Sequence, residues 1–330
     1  MFVHLVLEGV AESSLGVGLD VVGTAARLAA RGLAAAPCAP TTLQQTVVSL
    51  DGLPVRSGTE RLIDVAGAFD PADLGPGDVV VLPGVFGATE RSIDLLLGQE
   101  ALRRGVGLLA EAWRRGVTVA ASCAATFILA DSGVLDGRRA TTTWWLAPAF
   151  GRRFPSVTLT ADRMVVEAER ALTAGSAFAH ADLMLALLAR LGGPSLAQLA
   201  ARYLVLDERP SQARYMVVEH MRVSDPAVQA AERFVVAHVG RQLSIDELAQ
   251  AAAVSPRTLA RRVRAALGVT PHELVQRIRV AHAAHLLETT RASVDEVAER
   301  VGYADAAAFR RVFRRLTGES PRGRRGESAG

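Results

Sequence analysis

One stretch occurs twice near the C-terminus, and it narrows what this part of the chain can fold into. From Ser244 it reads SIDELAQAAAVSPRTLARRVRAALGVTP, and from Ser293 it reads SVDEVAERVGYADAAAFRRVFRRLTGESP; the offset is 49, rising to 50 after the turn. Each copy opens on Ser-x-Asp-Glu, where a Ser N-cap and a Glu three residues later satisfy each other's exposed helix-end donors. A short helix is expected at both places. A turn, a second cap (Ser255, Asp305) and a longer helix follow, closing at Gly268 to Pro271 and at Gly318 to Pro321. This is helix-turn-helix, written twice.

On the longer helices Leu259, Val263 and Leu267, and likewise Phe309 and Phe313, repeat at helical spacing and face a core. The opposite face carries Arg257, Thr258, Arg261 and Arg264 in the first copy. In the second it carries Ala307, Arg310, Arg311, Arg314 and Arg315. For one such helix, arginines are most simply a solvated face. Recurrence of cap, core spacing and basic face favours a pair of readers for a phosphate-lined groove. A connecting helix is expected from His272 to about Glu288, with Leu274, Ile278, His282 or His285, and Leu286 turned inward. Such a connector would set two recognition helices into successive major grooves, about 34 Å apart.

Charge follows the same division. The chain has no lysine; residues 226–330 hold 17 Arg against 11 Asp and Glu, and residues 1–225 hold 20 against 23. The excess of positive charge is thus confined to the part bearing the repeat, as expected where that part alone meets nucleic acid.

Residues 226–321 resemble the AraC-type transcriptional regulators, on SPRTLARRVRAALGVTPHELVQRIRVAHAAHLLETT and the SVDEVAERVGYADAAAFRRVFRRLTGESP that follows. The resemblance implies an all-α double helix-turn-helix domain, with double-stranded promoter DNA and RNA polymerase as partners. Where that family has an aromatic residue after the final proline, this chain has Gly323 and a polar tail. Residues 322–330 are therefore expected to be disordered.

The remainder reads as strands alternating with helices: strands over 2–7, weakly 32–39, 78–84 and 117–121, helices over 15–30, 89–97 and 100–115. Residues 46–56, with Asp51-Gly52 between extended runs, read as a hairpin. Three short strands then precede helices over 176–191 and from Ser195. The pattern predicts an α/β sandwich around a parallel sheet, whose sites lie beyond the carboxyl ends of the strands. Residues 1–206 form this domain, 207–225 a polar linker, and 226–321 the helical domain.

Cys123 stands where that rule points, at a sharp strand-to-helix junction. PCAPTTLQQTVVSLDGLPV, VVVLPGVFG and the run from Cys123 through DSGVLDGRRATTTWWLAPAFGRRFP resemble the PfpI-like, amidotransferase-related (flavodoxin-like) sensor half of GlxA-type regulators. By that resemblance Gly84, Ser122, Cys123 and Ala124 line a ligand pocket, approached by Glu8, Glu12 and Ser14 from the first loop. Catalysis by a cysteine needs a base and something to hold it. Relatives carry Thr-Thr-His-Trp; here the run is Thr142-Thr143-Trp144, and the position of the acidic partner falls on Ser14. His4 lies inside a strand and His180 opens an apolar helix, so packing is the simpler role for both.

No catalytic residue, metal ligand or cofactor is therefore assigned, and Cys38 with Cys123 makes neither a disulfide framework nor a zinc pattern. The start, MFVHLVLEGV, has no basic leader, and a cytoplasmic protein without a membrane span is expected. The reading is a DNA-binding transcriptional regulator, an activator, dimeric through its sheet domain and controlled by an unidentified small molecule. The rivals are a cysteine-dependent amidase bearing a DNA-binding tail, a redox sensor at Cys123, and a nucleoid protein without sequence preference. Within the readers, Arg257, Thr258 and Arg261 are placed to reach base edges, whereas the second helix opens on three alanines and its arginines are assigned to phosphates.

Overall fold

The computed structural model describes residues 1–33, 43–87, 89–207, 209, 211–212, 225–267 and 269–326. The chain divides into two compact units, Met1–Gln212 and Ala213–Gly330.

The first unit is built on β1 (Phe2–Leu5), α1 (Glu12–Ala30), β2 (Gln45–Val48), β3 (Val55–Arg56), β4 (Leu62–Ile63), β5 (Val79–Leu82), α2 (Glu90–Leu97) and α3 (Glu100–Arg114). β6 (Thr118–Ser122), α4 (Ala125–Asp131), β7 (Arg139–Ala140), α5 (Ala147–Arg153), β8 (Thr158–Leu159), β9 (Val165–Ala168), β10 (Ala171–Ala174), α6 (His180–Gly192) and α7 (Pro194–Tyr203) follow. Six strands make one sheet in the order β2-β1-β5-β6-β10-β9, parallel except for the antiparallel edge strand β9. Both faces are covered, which is why β1, β5 and β6 are buried at every position and read as mostly apolar runs instead of alternating ones, with His4, Thr118 and Ser122 as the polar members. One core packs Val80, Leu82 and Val119 with Ile93, Leu109 and Phe127; the other packs Val79, Val81 and Leu172 with Val21, Leu183 and Leu196.

Two expectations change here. No hairpin forms over 46–56. β2 pairs parallel with β1, Val3 opposite Thr46, while β3 pairs with β4. The Asp51 carboxylate accepts from the Leu53 N–H and the Ser49 hydroxyl. That side-chain turn leads the chain out of the sheet, so Asp51-Gly52 marks a strand end and not a strand reversal. Residues 207–212 were assigned to the linker, yet Arg209, Ser211 and Gln212 are bonded into the first unit. The expected strand over 32–39 and most of the linker lie outside the described residues.

The second unit contains α8 (Pro226–Ala237), α9 (Ile245–Ala251), α10 (Pro256–Leu267), α11 (Pro271–Thr289), α12 (Val294–Arg300), α13 (Ala306–Thr317) and α14 (Pro321–Gly326). Capping boxes close on Ser244 with Glu247 and on Ser293 with Glu296. A third closes on Thr270 with Glu273, opening the connecting helix α11. Asp305 caps α13 through the N–H groups of Ala307 and Ala308, and Gly318 ends it in the left-handed conformation.

The inner stripe of α11 differs from the expected one. Val280, Ala283 and Leu287 are buried with Leu274 and Ile278, while His282 and His285 are exposed. The tail differs as well. Residues 321–326 form α14, fixed by Arg324, whose guanidinium bonds Glu288 and Glu319. Absence of an aromatic anchor is offset by this charge-assisted pairing. Residues 327–330 lie outside the described residues. Among those described, no helix is long and apolar enough to cross a membrane.

Candidate functional site

At the end of β6 the chain turns sharply into α4, and Cys123 takes the turn with φ at 57°. Such a backbone costs a non-glycine residue about 1–2 kcal/mol and persists only where neighbours hold it. They do so on both sides. The Cys123 N–H donates to Ala174 O at 3.1 Å and Gly175 O at 2.6 Å, and its carbonyl accepts from the Thr142 hydroxyl at 2.9 Å.

Five of the seven expected pocket residues converge here. A Cβ on Gly84 would lie 3.0 Å from Ser14 Oγ and 3.1 Å from Cys123 Cβ, so glycine lets the loop after β5 close on the elbow. Ser122 and Ala124 flank the cysteine and are wholly buried. Ser14, at the position of the family's acidic partner, donates its hydroxyl to Ala177 O at 3.0 Å. Glu8 and Glu12 do not join them. Glu8 accepts from the Arg56 N–H at 3.1 Å and borders a separate cavity of about 200 Å³ with Leu50 and Leu53. Glu12 takes the hydroxyls of Ser57 and Thr59, which hold its carboxyl below the ordinary range, and pairs with Arg61 at 3.7 Å. The first loop thus directs its acids toward residues 56–61, because their donors are there.

The electrostatics of the elbow disfavour nucleophilic chemistry. Burial pushes the Cys123 thiol up to about 11, and nearby backbone groups of Ala124 and Ala177 with the Thr143 hydroxyl offset only part of this. Thr143 therefore stands against the sulfur where a base would be needed, and a hydroxyl does not take its proton. His180 is also close, yet it serves the back of the elbow, its Nδ1 at 2.9 Å from Ser122 Oγ. Burial pushes His180 down to about 3 and His4 down to about 4. Both rings are neutral near pH 7. Trp144 is buried and packs edge-on against Trp145, with centroids 5.3 Å apart. With so high a value, Cys123 holds on the order of a hundredfold less thiolate at pH 7 than an ordinary cysteine. Its alkylation rate is expected to keep climbing between pH 9 and 10.5, where a free cysteine levels off; a plateau below pH 9 in stopped-flow labelling contradicts this.

The second candidate site is the arginine front of the two readers. Leu259, Val263 and Leu267 anchor α10, and Phe309, Phe313 and Thr317 anchor α13. These anchors leave Arg257, Arg261, Arg264, Ala307, Arg310, Arg311, Arg314 and Arg315 exposed, and Thr258 partly so. Thr258 Oγ accepts from the Ser255 hydroxyl at 2.9 Å. Arg310 pairs with Asp295, Arg311 with Asp305 at 3.9 Å, and Arg315 donates to Gln276 at 2.5 Å. Among the described residues nothing pairs with Arg257, Arg261, Arg264 or Arg314. Exposed pairs of this kind contribute about 0–1 kcal/mol and yield readily to a phosphate.

Arg310, Arg311 and Arg314 also line an open groove of about 500 Å³ with Ser320, Pro321 and Arg322. Arg322 was missed in the sequence because it was assigned to a disordered tail. Two buried polar side chains were missed as well. Arg279 on α11 repeats the arginine spelling of the surface, and Gln212 ends a polar string that carries no pattern; no sequence signal marks either.

Comparison with known proteins gives the same division. The description "DJ-1/PfpI family" matches residues 18–190, and "Helix-turn-helix domain" matches residues 248–326. The HTH-type transcriptional regulator CdhR of Pseudomonas aeruginosa is 31% identical over 283 residues, covering 83% of this chain and 79% of that protein. The HTH-type transcriptional regulator GlxA of Rhizobium meliloti is 31% identical over 211 residues, 63% of this chain and 65% of that protein. In fold, a putative transcriptional regulator from Vibrio parahaemolyticus aligns with a TM-score of 0.50 at 17% identity, over 62% of this chain and 98% of that one.

Proposed function

Because the chain belongs to the AraC-type HTH transcriptional regulators whose amino-terminal half is a DJ-1/PfpI family domain, we propose how its parts share the work. The chain is a DNA-binding transcriptional regulator and not an enzyme, as its relatives are named. In our reading a small molecule enters beside the elbow formed by Ser14, Gly84, Ser122, Cys123 and Ala124. It changes the first unit, and through it the hold of residues 226–321 on a promoter. The active species is a cytoplasmic homodimer joined through the first unit that activates RNA polymerase. A ligand has this effect only by preferring one arrangement of the protein over another.

The observation that carries the reading is the repeated helix with an apolar back and an exposed arginine front, in which Arg257, Arg261, Arg264 and Arg314 have no partner among the described residues. Arg257 and Arg261, near the start of α10, are suited to bidentate contact with guanine, each pair giving about 1–3 kcal/mol of discrimination. α13 opens on Ala306, Ala307 and Ala308, so its arginines hold phosphates. Replacement Arg261→Ala is expected to relax preference at one base pair. Arg314→Ala is expected to weaken all sequences alike and to lower the salt slope by about one. Titration of both variants on cognate and random duplexes at several salt concentrations tests this; equal losses on both duplexes refute it.

The amidase reading requires a base that the elbow lacks. Cys123→Ala should leave hydrolysis of simple amides at the wild-type background, and thiol-dependent turnover would revive the rival.

A further inference from the structure

The last residue of the first unit is a buried glutamine that touches both supports of the elbow. Gln212 is 1% exposed. Its Nε2 donates to Ala161 O at 2.8 Å, Thr142 O at 2.9 Å and Thr141 Oγ at 3.2 Å. Two carbonyls at that end fix which way the amide faces, since the opposite rotamer would set oxygen against oxygen. The backbone holds as well. The Gln212 N–H donates to Asp162 O at 2.9 Å, and the Ser211 hydroxyl reaches the same carbonyl at 2.7 Å. Ser211 also forms an antiparallel bridge with Arg163.

The far side of the amide is unusual. Oε1 is buried without a hydrogen-bond donor among the described residues. It lies against Gly175, where a Cβ would stand 2.3 Å away. Gly175 is thus the space into which Gln212 fits.

Thr142 and Gly175 are also the residues that hold Cys123. Thr142 Oγ donates to the Cys123 carbonyl, and Gly175 O accepts from the Cys123 N–H. One bond on each side of Cys123 thus comes from a residue that touches the Gln212 amide. Three residues earlier, Arg209 donates to Phe178 O at 2.7 Å and to Asp182 at 2.6 Å. It clamps the other flank, next to Ala177, whose carbonyl takes the Ser14 hydroxyl. Arg209 and residues 211–212 thus hold both flanks, and the chain then continues into the second unit.

We propose that Gln212 is a latch between the elbow and the chain leading to the DNA-binding unit, so that opening the elbow and releasing residues 211–212 are one event. Cys123 is 6% exposed, with Ser122 and Ala124 wholly buried, so seating a ligand there requires the elbow's supports to give, Thr142 and Gly175 among them. Thr142, with Thr141, bonds the Gln212 amide, and Gly175 packs against it. The inference rests on the effector-binding reading above, although the latch itself is tested without an effector.

The full chain carrying Cys38→Ser has Cys123 as its one thiol. In that background Gln212→Ala and Gly175→Ala are compared with the parent by labelling with a thiol-reactive disulfide and by titration on DNA fragments recovered from sheared genomic DNA by the parent protein. Both variants should raise the Cys123 labelling rate about tenfold, as expected for a local opening made easier, and shift DNA affinity at least about threefold. Independently of either variant, alkylating Cys123 in the parent should accelerate hydrogen exchange at the Gln212 N–H. The latch is refuted if labelling is unchanged in folded variants, if labelling rises while DNA affinity stays put, or if alkylation leaves Gln212 exchange as it was. Failure of the parent to recover any DNA overturns the regulator reading instead, and the exchange measurement still decides the latch.

Discussion

Acidification from pH 7 to pH 5 is expected to remove about 4 kcal/mol from the stability of the first unit, roughly half from each of two buried histidines. His180 and His4 face one another across Gly18, where a Cβ would stand 3.0 Å from His180 Nε2 and 3.2 Å from His4 Cε1. His180 Nδ1 is engaged by Ser122, and His4 Nε2 by Gln45 at 3.2 Å. Burial lowers both, to about 3 and about 4, and His4 as a like charge further opposes protonation of His180. The unfolded chain therefore binds protons first. The stabilising contribution is complete above pH about 6.5 and falls away as pH drops toward the folded values, at up to about 1.4 kcal/mol per unit for each ring.

A domain with a total stability of about 5–15 kcal/mol has little left after such a loss. Tryptophans 113, 144 and 145 all lie in the first unit, so their fluorescence in denaturant titrations of the full chain follows that unit alone. The double replacement His180→Asn with His4→Gln, which puts a non-titrating amide atom near the places of Nδ1 and Nε2 respectively, should flatten the pH dependence between 7 and 5. A wild-type slope that is already flat there would mean that the rings are hydrated and not sealed.

Replacing Arg279 by methionine is expected to cost the second unit about 2–3 kcal/mol and to weaken promoter binding on the order of tenfold, although Arg279 is not part of the arginine front. The residue is 7% exposed and has no carboxylate partner among the described residues. Its Nη2 donates to Arg241 O at 2.5 Å, and its guanidinium centre lies 5.6 Å from the Tyr303 ring centroid. A Cβ on Gly302, where φ is +79°, would stand 2.8 Å from Nη2 and 2.7 Å from Val239 O. Gln242 reaches the Gly302 carbonyl at 3.0 Å.

The connecting helix α11 is thereby pinned to the turn before the first reader and to the turn inside the second. Arg279 is a positioning residue for both. Losing it should lower affinity on cognate and random duplexes together, with a lowered melting temperature of the helical unit. Gly302→Ala should do the same through strain. An Arg279→Met protein that melts and binds DNA like wild type would remove this role.

Much of the second unit was legible because its determinants are local. Ser244 with Glu247, Ser293 with Glu296, and the i, i+4 spacing of Leu259 with Val263 and Phe309 with Phe313 act within one or two helical turns. The parallel sheet was legible for a related reason: β5 is apolar throughout, and β1 and β6 nearly so, because both faces are covered. The elbow at Cys123 followed from its place at a strand end. Asp51-Gly52 misled, since the same dipeptide that closes a hairpin also ends a strand, and the partner of β2 lies 43 residues away in register, Phe2 with Gln45.

By itself, then, the sequence determined most of the helices and the parallel strands, and that two like readers stand near the C-terminus. Tertiary structure alone decided that Glu8 and Glu12 turn away from the elbow while Ser14 turns toward it. It also decided that Arg322 joins the basic groove and that Arg279 and Gln212 go inside. The physical reason is that caps and periodicity are settled between near neighbours, whereas the burial of a polar side chain depends on acceptors brought from far along the chain, as Thr142 is brought to Gln212 and Arg241 to Arg279.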